Sequence, residues 1–328
     1  MIITKTPFRV SFAGGGSDLA DFYEQHSGCV LSTTINKYCY LSIHPYFDSR
    51  YTSLKYSQNE LVDDLSKIQH RIFNCVLNEK QISGVEITST ADIPSGTGLG
   101  SSSTFTVGLL NTLACYQGKY MSKEKLAAKA CEIEIEKLGN PIGKQDQYAA
   151  AYGGLNFIRF NKDGSVSVSP IVMLPETYKN LQKNLIMFYT GNTRSANDIL
   201  SEQKKNISQA DKTANLIEMC KLAENMKDAL ENNDLSSFGN FLNDGWQLKR
   251  TLASGISNPD IDLAYETAMK NGALGGKLLG AGGGGFLLFY CEPEKQEQLR
   301  VALKMNQMKF EFEHDGASVV HIGNKYWD

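Results

Sequence analysis

The stretch Ile93-Pro94-Ser95-Gly96-Thr97-Gly98-Leu99-Gly100-Ser101-Ser102-Ser103-Thr104 constrains this chain more than any other part of it. It lies between a β-prone, alternating segment at 85–90 and a segment with Phe105, Leu109 and Leu113 at helical spacing, so it reads as strand, turn, helix. Glycines at alternate positions let the backbone wrap closely. A helix starting at the serines then aims unpaired N–H groups, and about half a positive charge, at whatever lies there. The segment predicts an anion site, with hydroxyls placed to bond phosphate or hold Mg²⁺. The plain alternative is a serine-rich cap on an ordinary helix.

Two other phosphate-loop architectures are excluded by the letters themselves. A Walker A loop needs Gly-Lys followed by Ser or Thr, whereas Gly118-Lys119, Gly143-Lys144 and Gly276-Lys277 are followed by Tyr, Gln and Leu. The run Gly280-Ala281-Gly282-Gly283-Gly284-Gly285 satisfies the dinucleotide fingerprint in form, but a strand, Phe286 to Tyr290, follows it where that fold requires a helix.

Along the chain, 2–12 and 29–43 read as strands, 61–77 as helical, and Ser122 as the N-cap of a helix running to Leu138, stopped by Gly139-Asn140-Pro141. Strands at 155–160 and 166–168 flank the turn signal Asp163-Gly164. After Pro170 and Pro175 comes a strand at 185–189, a long helical stretch to about 254, a helix near 261–271 and strands around the glycine cluster. This predicts an α+β chain of two domains, 1–170 and 171–328. With 33 basic against 36 acidic residues the net charge is −3, which gathers no polyanion and argues against a nucleic-acid partner. The first residues lack a signal-peptide apolar run, no segment has membrane-span length, and seven cysteines form no C-x-x-C pair. The expectation is a cytoplasmic protein with reduced thiols and no zinc site, either monomer or homodimer.

Pro94 to Ser103 resembles the second motif of the GHMP kinases, Pro-x-x-x-Gly-Leu-x-Ser-Ser; Thr6 to Leu19 resembles their first motif and Lys277 to Tyr290 their third. The resemblance implies a ribosomal protein S5 domain 2-like N-terminal domain with the ATP loop, a ferredoxin-like C-terminal domain, and ATP and Mg²⁺ as cofactors. Pro94, Gly96, Gly98, Leu99, Gly100, Ser101, Ser102 and Ser103 would then bind the nucleotide. Asp146, in Gly143-Lys144-Gln145-Asp146-Gln147, matches the segment that carries the family's catalytic aspartate; outside that context it reads as a loop carboxylate in an Asx turn. Glu134 shares a helix face with Ala127, Ala130, Cys131 and Leu138, while Glu132 and Glu136 point away. The resemblance makes it a Mg²⁺ ligand with Ser102; a structural ion pair is the competing account. Arg9 matches a basic residue that several of these kinases place beside the attacking hydroxyl, and it would pair with Asp146.

The substrate is read from a departure. Hexose-phosphorylating relatives carry Gly-Glu-His-Thr-Asp in the first motif, and this chain carries Gly14-Gly15-Gly16-Ser17-Asp18. Asp18 keeps the hydroxyl acceptor, and the missing glutamate leaves room for a larger or anionic substituent. Arg9 to Leu19, Thr34 to Tyr38 and Gly143 to Gly154 are similar to the D-glycero-D-manno-heptose 7-phosphate kinases, almost end to end, and Thr190 to Arg194 to the fucokinase branch. The resemblance implies transfer to the anomeric hydroxyl of a heptose 7-phosphate. The expected sugar-phosphate contacts are Gly15, Gly16, Ser17, Asp18, Lys144, Arg194, Gly282 and Gly283, with Lys249 and Arg250 as further phosphate clamps and Lys277 as a weaker candidate. The alternatives are a kinase for fucose or a hexose phosphate, and a silent sugar sensor on the same fold.

Overall fold

The computed structural model describes residues 1–191 and 196–323. Its first half is β1 (Ile2–Ala13), α1 (Ala20–His26), β2 (Gly28–Pro45), β3 (Thr52–Lys55), β4 (Asn59–Val62), α2 (Arg71–Lys80), β5 (Val85–Ala91), α3 (Ser101–Tyr116), α4 (Lys123–Cys131), α5 (Gln145–Tyr152), β6 (Asn156–Phe160) and β7 (Val166–Pro170). The second half is α6 (Pro175–Asn184), β8 (Leu185–Tyr189), α7 (Ala196–Asn206), α8 (Ala210–Glu231), α9 (Phe238–Lys249), α10 (Pro259–Lys270), β9 (Ala273–Leu278), β10 (Phe286–Cys291), α11 (Pro293–Leu303), β11 (Asn306–Met308), β12 (Phe312–Glu313) and β13 (Ser318–Ile322).

Among the described residues the strands form two sheets, as the α+β reading expects. One has nine strands with β13-β1-β2-β5-β3-β4 along its main path; β6 and β12 also pair with β2, and β7 with β6. The other is the antiparallel order β11-β8-β10-β9 expected of the ferredoxin-like half. β2 supports so many partners because its 18 residues outrun any one of them. The β1–β2 register shifts at Pro7/Phe8, where proline lacks an N–H for the ladder, and the irregularity lies directly before Arg9. The last strands, β12 and β13, pair with β2 and β1, so the carboxyl end of the chain returns to the first sheet.

The two sheets share a core. Phe12 of β1 meets Phe238 of α9 edge-on at 5.4 Å and Phe312 of β12 at 6.3 Å, and Phe238 in turn lies 5.5 Å from Tyr290 of β10. All four rings are buried, which locks the halves together through apolar area that neither half could cover alone. No helix among the described residues is long and apolar enough to cross a membrane.

Two sequence expectations are corrected. The helical reading of 61–77 holds only for its later part: Leu61 and Val62 belong to β4, which pairs with β3, and the helix begins at Arg71. The helix expected from 122 to 138 is α-helical only to Cys131, although Ser122 caps it as expected, accepting from Lys125 N at 3.3 Å. From Glu132 to Lys137 it widens to a π-helix, with Leu138 N bonded to Ile133 O at 3.0 Å.

Candidate active site

A single cavity of about 700 Å³ is lined by Arg9, Gly15, Gly16 and Asp18 from the first motif, the loop 93–103, Gln145 and Asp146, Gln203 and Lys249, and Gly280 with Ala281. Its floor at one end is the start of α3. Gly100 occupies the N-cap with φ +81°, and no side chain among the described residues caps the helix, so its first N–H groups remain available to a ligand. The Ser101 hydroxyl is buried there without a hydrogen-bond partner among the described residues.

The loop keeps its shape by glycine-on-glycine packing. Gly98 has φ +84°, and a Cβ there would lie 2.4 Å from Leu279 O; a Cβ on Gly280 would lie 2.3 Å from the Gly98 Cα. The third motif is therefore the backing of the second, which is why both need residues without side chains at the contact. Leu99 is wholly buried, and its carbonyl accepts from Arg9 N at 3.2 Å, tying the loop to β1.

Arg9 is 3% exposed, and its guanidinium grips Asp146 with both arms: Nε donates to Oδ1 at 2.8 Å and Nη2 to Oδ2 at 2.9 Å. Nη1 donates to Gly98 O at 2.6 Å. One side chain thus orients the carboxylate and anchors the loop. Asp146 sits in the first turn of α5, and a Cβ on Gly100 would stand 3.1 Å from its Oδ2, so the carboxylate lies against the N-cap of α3. Asp18 is buried beside it, with Oδ1 accepting from Gly16 N at 2.9 Å and Oδ2 from Gln145 N at 3.2 Å. Burial, and then the charge of Asp146, pushes the Asp18 carboxyl up from its ordinary value.

Glu134 comes from the π-helical segment and has no exposed surface. A π turn rotates the side chains that follow it, a device common where a functional group must be aimed inward. Its carboxylate accepts from Ser102 Oγ at 2.5 Å and Gln147 Nε2 at 2.8 Å, and it forms no ion pair among the described residues. Burial raises its pKa, with hydrogen bonds from Ser102, Ser103 and Gln147 opposing. No cluster of three or more His, Cys, Asp and Glu side chains stands ready as a metal cage among the described residues. A buried carboxylate beside a hydroxyl at an uncapped helix start instead fits Mg²⁺, which commonly takes one or two carboxylates and completes its shell with nucleotide phosphates and water.

Several other expected contacts lie elsewhere. Lys144 turns away from the cavity, donating to Gly164 O at 2.8 Å and covering the Tyr23 ring at 4.7 Å. Ser17 is buried, its hydroxyl bonded to the Cys29 N–H and C=O at 3.0 Å, so it braces the Gly14–Asp18 turn from behind. Arg250 pairs with Asp262 at 2.7 Å on the outside of α10. Gly282 packs on Ile256, and Gly283 lines a separate cavity of about 180 Å³ with Thr190 and Asn258. Lys277 is buried and donates to Phe12 O at 3.0 Å. Arg194 lies outside the described residues. Gln203 of α7 reaches the cavity and escaped sequence reasoning, because a glutamine in a polar helix carries no local signal. The far wall, Tyr56, His70, Ile72 and Phe105, also had none.

Comparison with known proteins agrees with this geometry. Residues 66–154 match the family model described as GHMP kinases N terminal domain, and 226–307 the one described as GHMP kinases C terminal. The chain is 33% identical to a D-glycero-alpha-D-manno-heptose 7-phosphate kinase of Campylobacter jejuni, over 96% of this chain and 97% of that one. It is 26% identical to a bifunctional fucokinase/GDP-fucose pyrophosphorylase of Arabidopsis thaliana over 91% of its own length, spanning 30% of that larger protein. The crystal structure of a D-glycero-D-manno-heptose 1-phosphate kinase from Bacteriodes thetaiotaomicron superposes with a TM-score of 0.81 at 26% identity, covering 99% of this chain and 100% of that one.

Proposed function

The chain belongs to the GHMP kinases and is an ATP-dependent phosphotransferase acting on sugar hydroxyls; on that premise we propose that it phosphorylates the anomeric hydroxyl of D-glycero-D-manno-heptose 7-phosphate to the 1,7-bisphosphate. The observation that carries the reading is the placement of the Arg9–Asp146 pair against the N-cap of α3, inside one cavity. Phosphate donor and sugar acceptor can meet only where an anion-binding helix start and a proton-accepting carboxylate share a space.

In the proposed reaction the N–H groups at Ser101–Ser103 hold the triphosphate, and the sugar oxygen attacks the γ-phosphorus in line. The bond from that phosphorus to the bridging oxygen of ADP breaks, and the hydroxyl proton passes to Asp146. Both carboxylate oxygens of Asp146 accept from Arg9, yet each keeps a further lone pair for the sugar. The guanidinium holds the carboxylate in one rotamer and places positive charge beside the developing alkoxide. Ser102 and Glu134 would hold Mg²⁺, which when bound offsets phosphate charge; Gln147 orients Glu134. Asp18 accepts from a neighbouring sugar hydroxyl.

Support for a phosphorylated heptose is the 33% identity spanning both chains, together with Gly15 and Gly16, which leave the sugar end without a carboxylate at those positions. The test is ADP release measured with D-glycero-D-manno-heptose 7-phosphate, mannose 6-phosphate and L-fucose at equal concentrations. The heptose phosphate should give the highest kcat/KM. A preference for L-fucose would instead place the chain with its fucokinase relatives.

A further inference from the structure

Of the basic side chains that line the described cavity wall, Arg9 is committed to Asp146, and His70 lies among the rings of Tyr56, Phe73 and Phe105, where burial lowers its pKa. Lys249, the last residue of α9, is different. It is 6% exposed, forms no ion pair among the described residues, and donates to Gly280 O at 2.5 Å, which leaves two of its three N–H donors free. Gln203, 2% exposed and on the wall of the same cavity, presents an amide nitrogen that is buried without a hydrogen-bond partner among the described residues.

Both donors converge on the same piece of backbone. A Cβ on Gly15 would lie 3.8 Å from Lys249 Nζ, and a Cβ on Gly16 would lie 2.1 Å from Gln203 Nε2. Asp18 spans the distance to the reaction centre, bonding Gly16 N with one oxygen and Gln145 N, next to Asp146, with the other. A sugar bound with one hydroxyl at Asp146 and another at Asp18 therefore extends toward Lys249 and Gln203.

We propose that Lys249 and Gln203 form the subsite for the phosphate that the sugar already carries, seated over the Gly15–Gly16 backbone. This rests on the sugar-phosphate reading above and names the residues that select for it. An ammonium and an amide N–H₂, both desolvated before the ligand arrives, are worth more to a phosphate oxyanion than the same groups in water. They also discriminate sharply, because a sugar lacking the phosphate leaves them unpaired. The electrostatics agree: burial first, and then the charge of Arg9, pushes the Lys249 ammonium down to about 8, with Asp18 and Asp146 pulling the other way. Lys277, facing it from β9, is itself pushed well below its ordinary value by burial and by Lys249. An arriving phosphate relieves that repulsion.

The experiment compares kcat/KM for D-glycero-D-manno-heptose 7-phosphate and for the unphosphorylated heptose in the wild type, Gln203→Glu and Lys249→Met. The wild type should favour the phosphorylated sugar, and each variant should lower that ratio by about tenfold or more, from loss of a charged hydrogen bond or gain of a like charge. Gln203→Glu keeps the side-chain shape, so it answers the question even if Lys249→Met disturbs the Gly280 contact. A variant that loses both sugars equally overturns the subsite and places its residue at the transferred phosphoryl group or in the scaffold. A wild type indifferent to the phosphate overturns the sugar-phosphate reading itself.

Discussion

Asp146→Asn separates the roles that the Arg9–Asp146 pair combines. The amide keeps the shape of the carboxylate and one oxygen, which still accepts from Arg9 Nε where the carboxylate does at 2.8 Å. The new N–H₂ takes the place of Oδ2, 2.9 Å from Nη2, and meets it donor to donor. One charge-assisted hydrogen bond is lost, about 1.5–3 kcal/mol, while Arg9 keeps Gly98 O at 2.6 Å. The unfolding midpoint should fall by about 3–12 °C, at about 2–4 °C per kcal/mol for a large domain. Activity should fall much further. A positioned proton acceptor contributes about 10²- to 10⁴-fold, so the barrier should rise by about 3–5 kcal/mol. Turnover is read by coupled ADP release, and nucleotide affinity by titration with a fluorescent ATP analogue. Since the α3 N-terminus is untouched, affinity should change by less than about threefold. A folded variant with turnover within about tenfold of wild type would remove Asp146 from proton transfer. A loss of turnover matched by an equal loss of nucleotide affinity would make it a brace for the loop.

Two further substitutions test the nucleotide end. Glu134→Gln should raise the Mg²⁺ concentration needed for half-maximal activity at least tenfold, about 1.4 kcal/mol, and a wild-type Mg²⁺ titration would refute the assignment. It should not destabilise the metal-free protein, because the Gln147 Oε1, buried without a partner among the described residues, can accept from the new amide after a flip. Its pH behaviour has a definite sign. Burial raises the Glu134 pKa, so the folded carboxyl still holds its proton where the unfolded one has lost it; wild-type stability therefore declines as pH rises from the ordinary glutamate value through the raised one, and the variant lacks that part of the decline. Gly98→Ala combines a left-handed φ of +84° with a Cβ 2.4 Å from Leu279 O, so it should cost about 1–2 kcal/mol or more from the backbone alone and raise the KM for ATP. A native midpoint in urea unfolding together with an unchanged KM would show that the loop does not depend on its contact with Gly280.

What the sequence disclosed about this site followed the range of the interactions that build it. The strand–turn–helix of the 93–103 loop was legible because its cause is local: glycines at 96, 98 and 100, a strand before them and a helix after. Glu134 was legible by helical face, although the π turn that aims it was not, since widening a helix by one residue per turn is settled by what packs on it. Lys144 was misplaced because nearness in sequence to Asp146 says nothing about direction: α5 begins between them, and the lysine leaves toward Tyr23 and Gly164. Leu61 and Val62 fit a helical spacing but take the strand that β3 offers, a pairing no local window contains. The same limit hid Gln203. It packs on Gly16, 187 positions earlier, and shares a cavity wall with Lys249, 46 later, and each acquires meaning only when α7 and α9 close over the first motif. Arg9 and Asp146, 137 positions apart, were found because the motif resemblance brought them together, not because spacing did. The cavity therefore depends on both halves of the chain in a physical sense. The first half supplies the uncapped start of α3 and the carboxylates; Leu279 and Gly280, from the second, occupy the volume that holds Gly98 in its left-handed turn. Loosening the aromatic contact of Phe12 with Phe238 should thus weaken nucleotide and sugar binding together, since the wall that shapes the loop is the wall that carries Lys249.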